Sequence, residues 1–195
     1  MKSTSSLFLT FALALAWVLP TTVRAADPYS VDPVHSAVLF KVKHANTSTA
    51  WGRFNAISGS FSLDPNHPDT SNLNFTVKVD SVDTNSEARD SHLKGPDFFN
   101  AAQYPEITFT SKEVQKAPDR PNAYKVSGTL SFHGESKPLT ITLVSVGSGK
   151  DMRGNAIAGI DTHFTIKQSD FGIAEKPGAI GDEVTVFVSI EGTKK

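Results

Sequence analysis

Asn72-Leu73-Asn74-Phe75-Thr76-Val77-Lys78-Val79 alternates polar and apolar side chains without a break. Successive side chains of a strand point to opposite faces, so this stretch has one dry face and one wet face. The same period recurs on both sides of it. Val38, Phe40 and Val42 alternate with Leu39, Lys41 and Lys43, and Ile57, Gly59, Phe61 and Leu63 alternate with serines. Ile107 and Phe109 face away from Thr108 and Thr110, and Tyr124, Val126, Leu130 and Phe132 oppose Lys125, Ser127, Thr129 and Ser131. Leu139, Ile141 and Leu143 follow, then even positions from Ala156 to Ile166, then Val184, Val186, Val188 and Ile190.

About eight strands of this kind predict an antiparallel sheet solvated on one side. Turn residues at Asp64-Pro65-Asn66, Pro118 to Asn122, His133-Gly134-Glu135 and Gly147-Ser148-Gly149 separate them. An open sheet so patterned needs a covering layer, and one helical stretch, Ser86 to about Gln103, is too little to supply it. Closing the sheet on itself buries the dry face and removes both edges. The expected fold is therefore all-β: a single eight-stranded antiparallel barrel with a short helical insert between the third and fourth strands. A two-sheet sandwich is the competing arrangement.

The insert opens at Val82-Asp83-Thr84-Asn85, and Thr84 with Glu87 fits a capping box. Gly95 and Pro96 stop the first helix. Asp90 and Lys94 are spaced to pair along one flank, and Arg89 stands beside Leu93 on another. Arg89, Asp90 and His92 read best as a latch, with Arg89 clamping a carboxylate such as Asp83. A ligand head group meeting Arg89, His92 or Lys94 is the other reading.

The string Val82-Asp83-Thr84-Asn85, then Arg89-Asp90-x-His92-Leu93, Asp97-Phe98-Phe99 and Tyr104-Pro105, resembles the YceI-like family of small bacterial secreted proteins. Phe40-x-Val42-x-His44, Gly52-x-Phe54, Gly59-x-Phe61, Thr108 to Ser111, Gly128-x-Leu130 and the terminal Val186-x-Val188-x-Ile190-Glu191-Gly192 are similar too. The resemblance runs from Tyr29 to Gly192. It implies a lipocalin-like barrel whose interior holds a long isoprenoid or similar fatty chain.

The inward face is rich in Phe, with thirteen in the chain against three Tyr and two Trp. Alternation alone reads such a face as a filled core; the resemblance reads it as a lumen. An eight-stranded barrel is the size at which either occurs. The lumen candidates are Val38, Phe40, Val42, Phe61, Phe75, Val77, Phe109, Phe132, Ile141 and Phe164, with Leu93, Phe98 and Phe99 from the insert. Each buried CH₂ of a hydrocarbon tail is worth about 0.8 kcal/mol.

The first 25 residues carry Lys2, an apolar run from Leu7 to Leu19, and Val23-Arg24-Ala25 as a cleavage signal. They read as a removed export leader, too short for a comfortable membrane span. The remaining residues, 26–195, form the barrel domain, and loss of Lys2 and Arg24 takes the formal charge from −1 to −3. That mild acidity disfavours nucleic acid or anionic membrane as the main partner. Without cysteine there is no disulfide, no thiol chemistry and no lipidated N-terminal Cys.

Six histidines show no ligand spacing on a strand or helix, although His44, His133 and His163 fall near strand ends. No metal site and no catalytic residue is assigned. No nucleophile elbow or phosphate loop occurs. The expectation is a periplasmic binding or carrier protein, without a cofactor, holding a quinone tail or polyprenyl lipid. It has no stable membrane anchor, and monomer and homodimer both stay open. The alternatives are a hydrolase or isomerase of a lipophilic substrate in the same barrel, and a stress-protective barrel without a ligand.

Overall fold

The computed structural model describes residues 26–174 and 178–194, so the expected leader lies outside the described residues. Eleven strands and one α-helix follow in order: β1 Tyr29–Val31, β2 Ala37–His44, β3 Ser48–Phe54, β4 Ile57–Ser62, β5 Asn72–Lys78, β6 Val82–Asp83, α1 Glu87–Lys94, β7 Glu106–Lys116, β8 Ala123–Phe132, β9 Glu135–Lys150, β10 Ala156–Lys167 and β11 Ile180–Lys194.

The eleven strands resolve into eight staves. β1 and β2 are two halves of one stave, both paired with β11; β3 with β4, and β5 with β6, make the second and third. Each stave then pairs antiparallel with its neighbour in sequence, and the last returns to the first. The result is a closed up-and-down barrel, with α1 between the third stave and β7. Closing the ring leaves no stave with a wholly unpaired edge, which is why every stave can be half wet.

Two corrections to the sequence reading concern strand ends. β3 was not anticipated; it continues into β4 and pairs with β2 along its whole length, Val38 opposite Phe54 and His44 opposite Ser48. Gly147-Ser148-Gly149 is not a turn but the outer part of β9, paired with Ile157 to Gly159. The turn falls later, where Asp151 Oδ1 accepts from the amides of Arg153 and Asn155 and Gly154 takes a left-handed φ of 85°. The Asp side chain, rather than the glycines, turns the chain. The β8–β9 hairpin does turn where expected, with His133 and Gly134 both at positive φ, the two-residue arrangement suited to strand twist.

Turns alternate between two ends of the barrel. One end carries the β2–β3 and β8–β9 hairpins, the insert with α1 and the β10–β11 connection. The opposite end is packed solid: Leu73, Val114, Tyr124, Val126, Leu143 and Ile190 are fully buried there and above it, and Tyr29 stacks on Phe61 at 5.5 Å. Burial pushes the Tyr124 phenol up from its usual pKa.

Candidate functional site

Above that packed floor the barrel is hollow. A cavity of ≈ 770 Å³ runs between the inward faces of β2, β5, β7, β8, β9, β10 and β11 up to α1. Its size is that of a small-molecule site. The walls are mainly apolar because the inward positions of each strand alternate, although Thr49, Thr108 and Asp161 also reach the lining.

Of the lumen candidates, Val38, Phe40, Val42, Phe75, Val77, Leu93, Phe98, Phe99, Phe109, Phe132, Ile141 and Phe164 line this cavity. Phe61 does not. It is 2 % exposed and packs between Tyr29 and Phe75 in the floor. Alternation gave the right side of the sheet for Phe61 and not its height along the barrel axis. The wall also includes Ile57, Ile107, Leu130, Ile160, Val184, Val186, Val188 and Ile190, which carry the same alternation signal. His44, Ser48, Gln168, Ile173, Ala179 and Ile180 complete the upper end, where sequence periodicity has already stopped.

The insert closes that end. Phe99 lies among Phe40, Phe54 and Phe132, with ring centroids 6.5, 6.0 and 5.7 Å away. Phe98 is buried with Leu130, Phe132, Phe171 and Ile173. α1 itself has no buried residue, so it stands on these rings rather than sinking into the lumen.

The latch differs from the expected one. Thr84 does not cap the helix, because Asn85 takes a left-handed φ of 60° and moves the start on by two residues. Ser86 is the N-cap, its Oγ accepting from the Arg89 amide at 3.5 Å. α1 ends at Lys94 with Gly95 as its C-cap, where the stop was expected, so the helical stretch does not run on to Gln103. Thr84 is instead a buried anchor. Arg89 Nε donates to Thr84 Oγ1 at 2.7 Å and Nη2 donates to the Thr84 carbonyl at 2.6 Å.

Asp90 Oδ1 accepts from both the amide and the hydroxyl of Thr84, so it turns inward to Thr84 rather than along the helix to Lys94. Asp83 is not the clamp's carboxylate: it accepts from the Asn85 amide and from Asn55 Nδ2. These bonds hold its carboxyl below the usual pKa, the Asn85 amide foremost.

Arg89 and His92 line the cavity as well as serving the insert, whereas Asp83 and Asp90 do not. His92 packs edge-on against Phe98 at 4.9 Å, with its Nε2 3.7 Å from Asp97. The polar groups facing the lumen from the insert (Thr84, Arg89 and His92) thus sit at one end of a long apolar space.

The three histidines singled out for position go to three places. His44 lines the cavity, His133 binds the Phe171 carbonyl through Nδ1 at 2.8 Å, and His163 stacks on Phe187, on the outward set of positions of β11. Asp32, His35 and Glu191 do converge on the outside, where β1 gives way to β2. His35 Nδ1 is 2.9 Å from Asp32 and 3.6 Å from Glu191. That cluster joins residues distant in sequence, and no local spacing announces it. Among the described residues no helix is long and apolar enough to cross a membrane.

Comparison with known proteins fits this architecture. A family model described as the YceI-like domain matches residues 29–192. A UPF0312 protein of Yersinia pestis is 38% identical over 181 residues, covering 93% of each chain. BcnA of Burkholderia cenocepacia superposes with a TM-score of 0.75 at 24% identity, over 83% of this chain and 98% of that one. A structure described as a polyisoprenoid binding domain from Saccharophagus degradans, implicated in plant cell wall breakdown, gives a TM-score of 0.66 at 17% identity, over 86% and 98%. At those identities the two structures share the fold with this protein. The family match reaches from β1 through the insert to Gly192 near the end of β11, and the chain belongs to the YceI-like family.

Proposed function

We propose that this protein binds a long isoprenoid or similar fatty chain inside the barrel, with the polar end of the ligand at the Arg89–His92 rim. One observation carries the reading: a cavity of ≈ 770 Å³ whose walls are mainly apolar, with Arg89 and His92 where the insert meets the barrel and Asp161 as the one carboxylate along the described wall. An apolar chain gains by burial along such walls and finds few competing polar partners on the way. The Saccharophagus degradans neighbour, described as polyisoprenoid binding, supports the same ligand class.

The role is binding rather than catalysis. The buried polar residues among those described are Ser36, Ser62, Thr84, Ser111 and Gln168. None is a carboxylate or a histidine. The titratable groups that do line the cavity, His44, Arg89, His92 and Asp161, form no ion pair with one another among the described residues, so no acid–base pair is assembled there. The reading extends to quinone tails and polyprenyl lipids as ligands and, on the leader expected from residues 1–25, to a carrier working in the periplasm. Native mass spectrometry of freshly purified protein, and of stripped protein offered prenyl alcohols, tests the reading. One chain retained per protein is the expected result; protein that stays ligand-free with every chain length overturns it.

A further inference from the structure

The β9–β10 ladder stops halfway. It runs from Ala156 opposite Lys150 to Thr162 opposite Leu143 and goes no further, although β9 begins at Glu135 and β10 continues to Lys167. Over the upper halves each strand keeps its other neighbour, β8 for β9 and β11 for β10. The barrel wall is therefore split on one side. Thr162 Oγ1 donates to the Thr142 carbonyl at 2.8 Å just where the ladder ends, so the split has a defined lower corner.

Its upper corner is a bridge. The turn Gln168–Phe171 crosses from β10, and Phe171 packs on Phe132 at 5.5 Å. His133 Nδ1 must be the donor to the Phe171 carbonyl, because a carbonyl only accepts. That leaves His133 Nε2 buried without a partner. The other anchors of the turn are on β11, where Gln168 Nε2 donates to the Gly181 carbonyl and Ser169 to the Asp182 carboxylate.

A second cavity, of ≈ 600 Å³, occupies the split. Its apolar floor includes Leu139 and Phe171, and its charged rim, Lys137 and Lys167 with Asp170 and Glu183, sums to no net charge. Leu130 and Ile166 line this cavity and the main one alike. These two side chains are thus shared between the wall of the groove and the wall of the lumen.

We propose that the apolar chain enters and leaves sideways through this split, over Leu130 and Ile166, and not past α1. The inference rests on the binding function proposed above. Strand edges without a ladder open at less cost than paired ones, whereas leaving past α1 means displacing Phe99 from three other rings. A neutral rim suits a passage driven by burial, with no charge steering.

The absence of native cysteine makes a clean test possible. Pro138 and Thr165 both line the groove, one on each side. The double variant Pro138→Cys/Thr165→Cys is bridged with a reducible bis-thiosulfonate, and stopped-flow uptake of cis-parinaric acid, an intrinsically fluorescent linear chain, is recorded. The bridge should slow uptake at least tenfold, reduction should restore the rate, and either single variant treated alike should load normally. Ser86→Ala, which loosens the start of α1, should leave the rate unchanged. Equal uptake by the bridged protein, or acceleration by Ser86→Ala, overturns the lateral entrance while leaving the binding function intact. No uptake even by the reduced protein overturns both.

Discussion

Gly52 lies beneath the ring of Phe40. The two are paired across β2 and β3, and a side chain on Gly52 would fall within the Phe40 ring, with Cε1 only 2.8 Å from the new Cβ. The missing side chain lets the ring fold down against its own wall, leaving the lumen open. Gly128 does the same for Phe109, whose Cζ would lie 2.6 Å from an added Cβ. Gly52→Ala should therefore push Phe40 into the cavity, at a cost of about 1–3 kcal/mol from overpacking. Binding of long chains should fall more than binding of short ones. Chemical denaturation together with a chain-length series reads both effects, and equal loss at every length would rule out this account of the wall.

The insert gives a second prediction, because its two hydroxyl contacts differ in weight. Ser86→Ala removes a long N-cap bond and should cost about 0.5–1 kcal/mol. Thr84→Val strips a partner from Arg89 Nε and from the Asp90 carboxylate at once. It should cost more, roughly 1–3 kcal/mol, with the exposure of Arg89 holding it toward the lower end. Urea unfolding of the two variants decides the order. Arg89→Ala with unchanged stability but lost ligand would make Arg89 a head-group contact rather than a latch.

The staves were legible where the two faces of a strand differ in polarity, as in Asn72 to Val79. β3 was not, and the reason is physical. Its inward positions are Ser48, Ala50, Gly52 and Phe54, and all but Phe54 are small, with Gly52 and Ala50 opposite Phe40 and Val42, so the alternation is erased by the packing it serves. Parity likewise put Phe61 on the inner face and could not tell lumen from floor. The Thr84–Arg89 contact depends on where the helix starts, which the left-handed Asn85 sets by two residues. The split between β9 and β10 leaves no mark in either strand, since both keep a dry face toward the barrel.

A third prediction concerns pH. His35 bonds to Asp32 and stands near Glu191, fastening the bend between β1 and β2 onto β11. The Asp32 hydrogen bond, then its charge, raises the His35 pKa above 6.5. That contribution is full below pH 6.5 and is lost as pH rises through the folded-state value. Asp32 is held below 3.8, chiefly by the His35 bond, so its share is present above that value and lost in acid. His35 is exposed and Asp32 half-buried, and the effect should be small and weakened by salt. Thermal melts should show a melting temperature that declines as pH rises above 6.5, and a flatter profile for His35→Gln. Matching slopes in the two proteins would remove this pair from the account.

A fourth prediction sets tail against head. Phe75 faces the lumen opposite Phe109 and lies above the floor ring of Phe61, with centroids 6.4 Å apart. Replacing it by Gln puts an amide on the wall where a hydrocarbon tail offers no partner. The loss of apolar contact is about 1.5–3 kcal/mol, which corresponds to roughly ten- to hundred-fold weaker binding. In the parent protein, affinity should rise with each added isoprene unit and level off once the cavity above Phe61 is full. Binding driven this way carries a negative heat-capacity change and depends little on salt. Calorimetry over a chain-length series, with alcohol and diphosphate heads at each length, separates the contributions. Affinity that follows the head group and ignores tail length would move the binding energy to Arg89 and His92, and the barrel wall would then be core and not site.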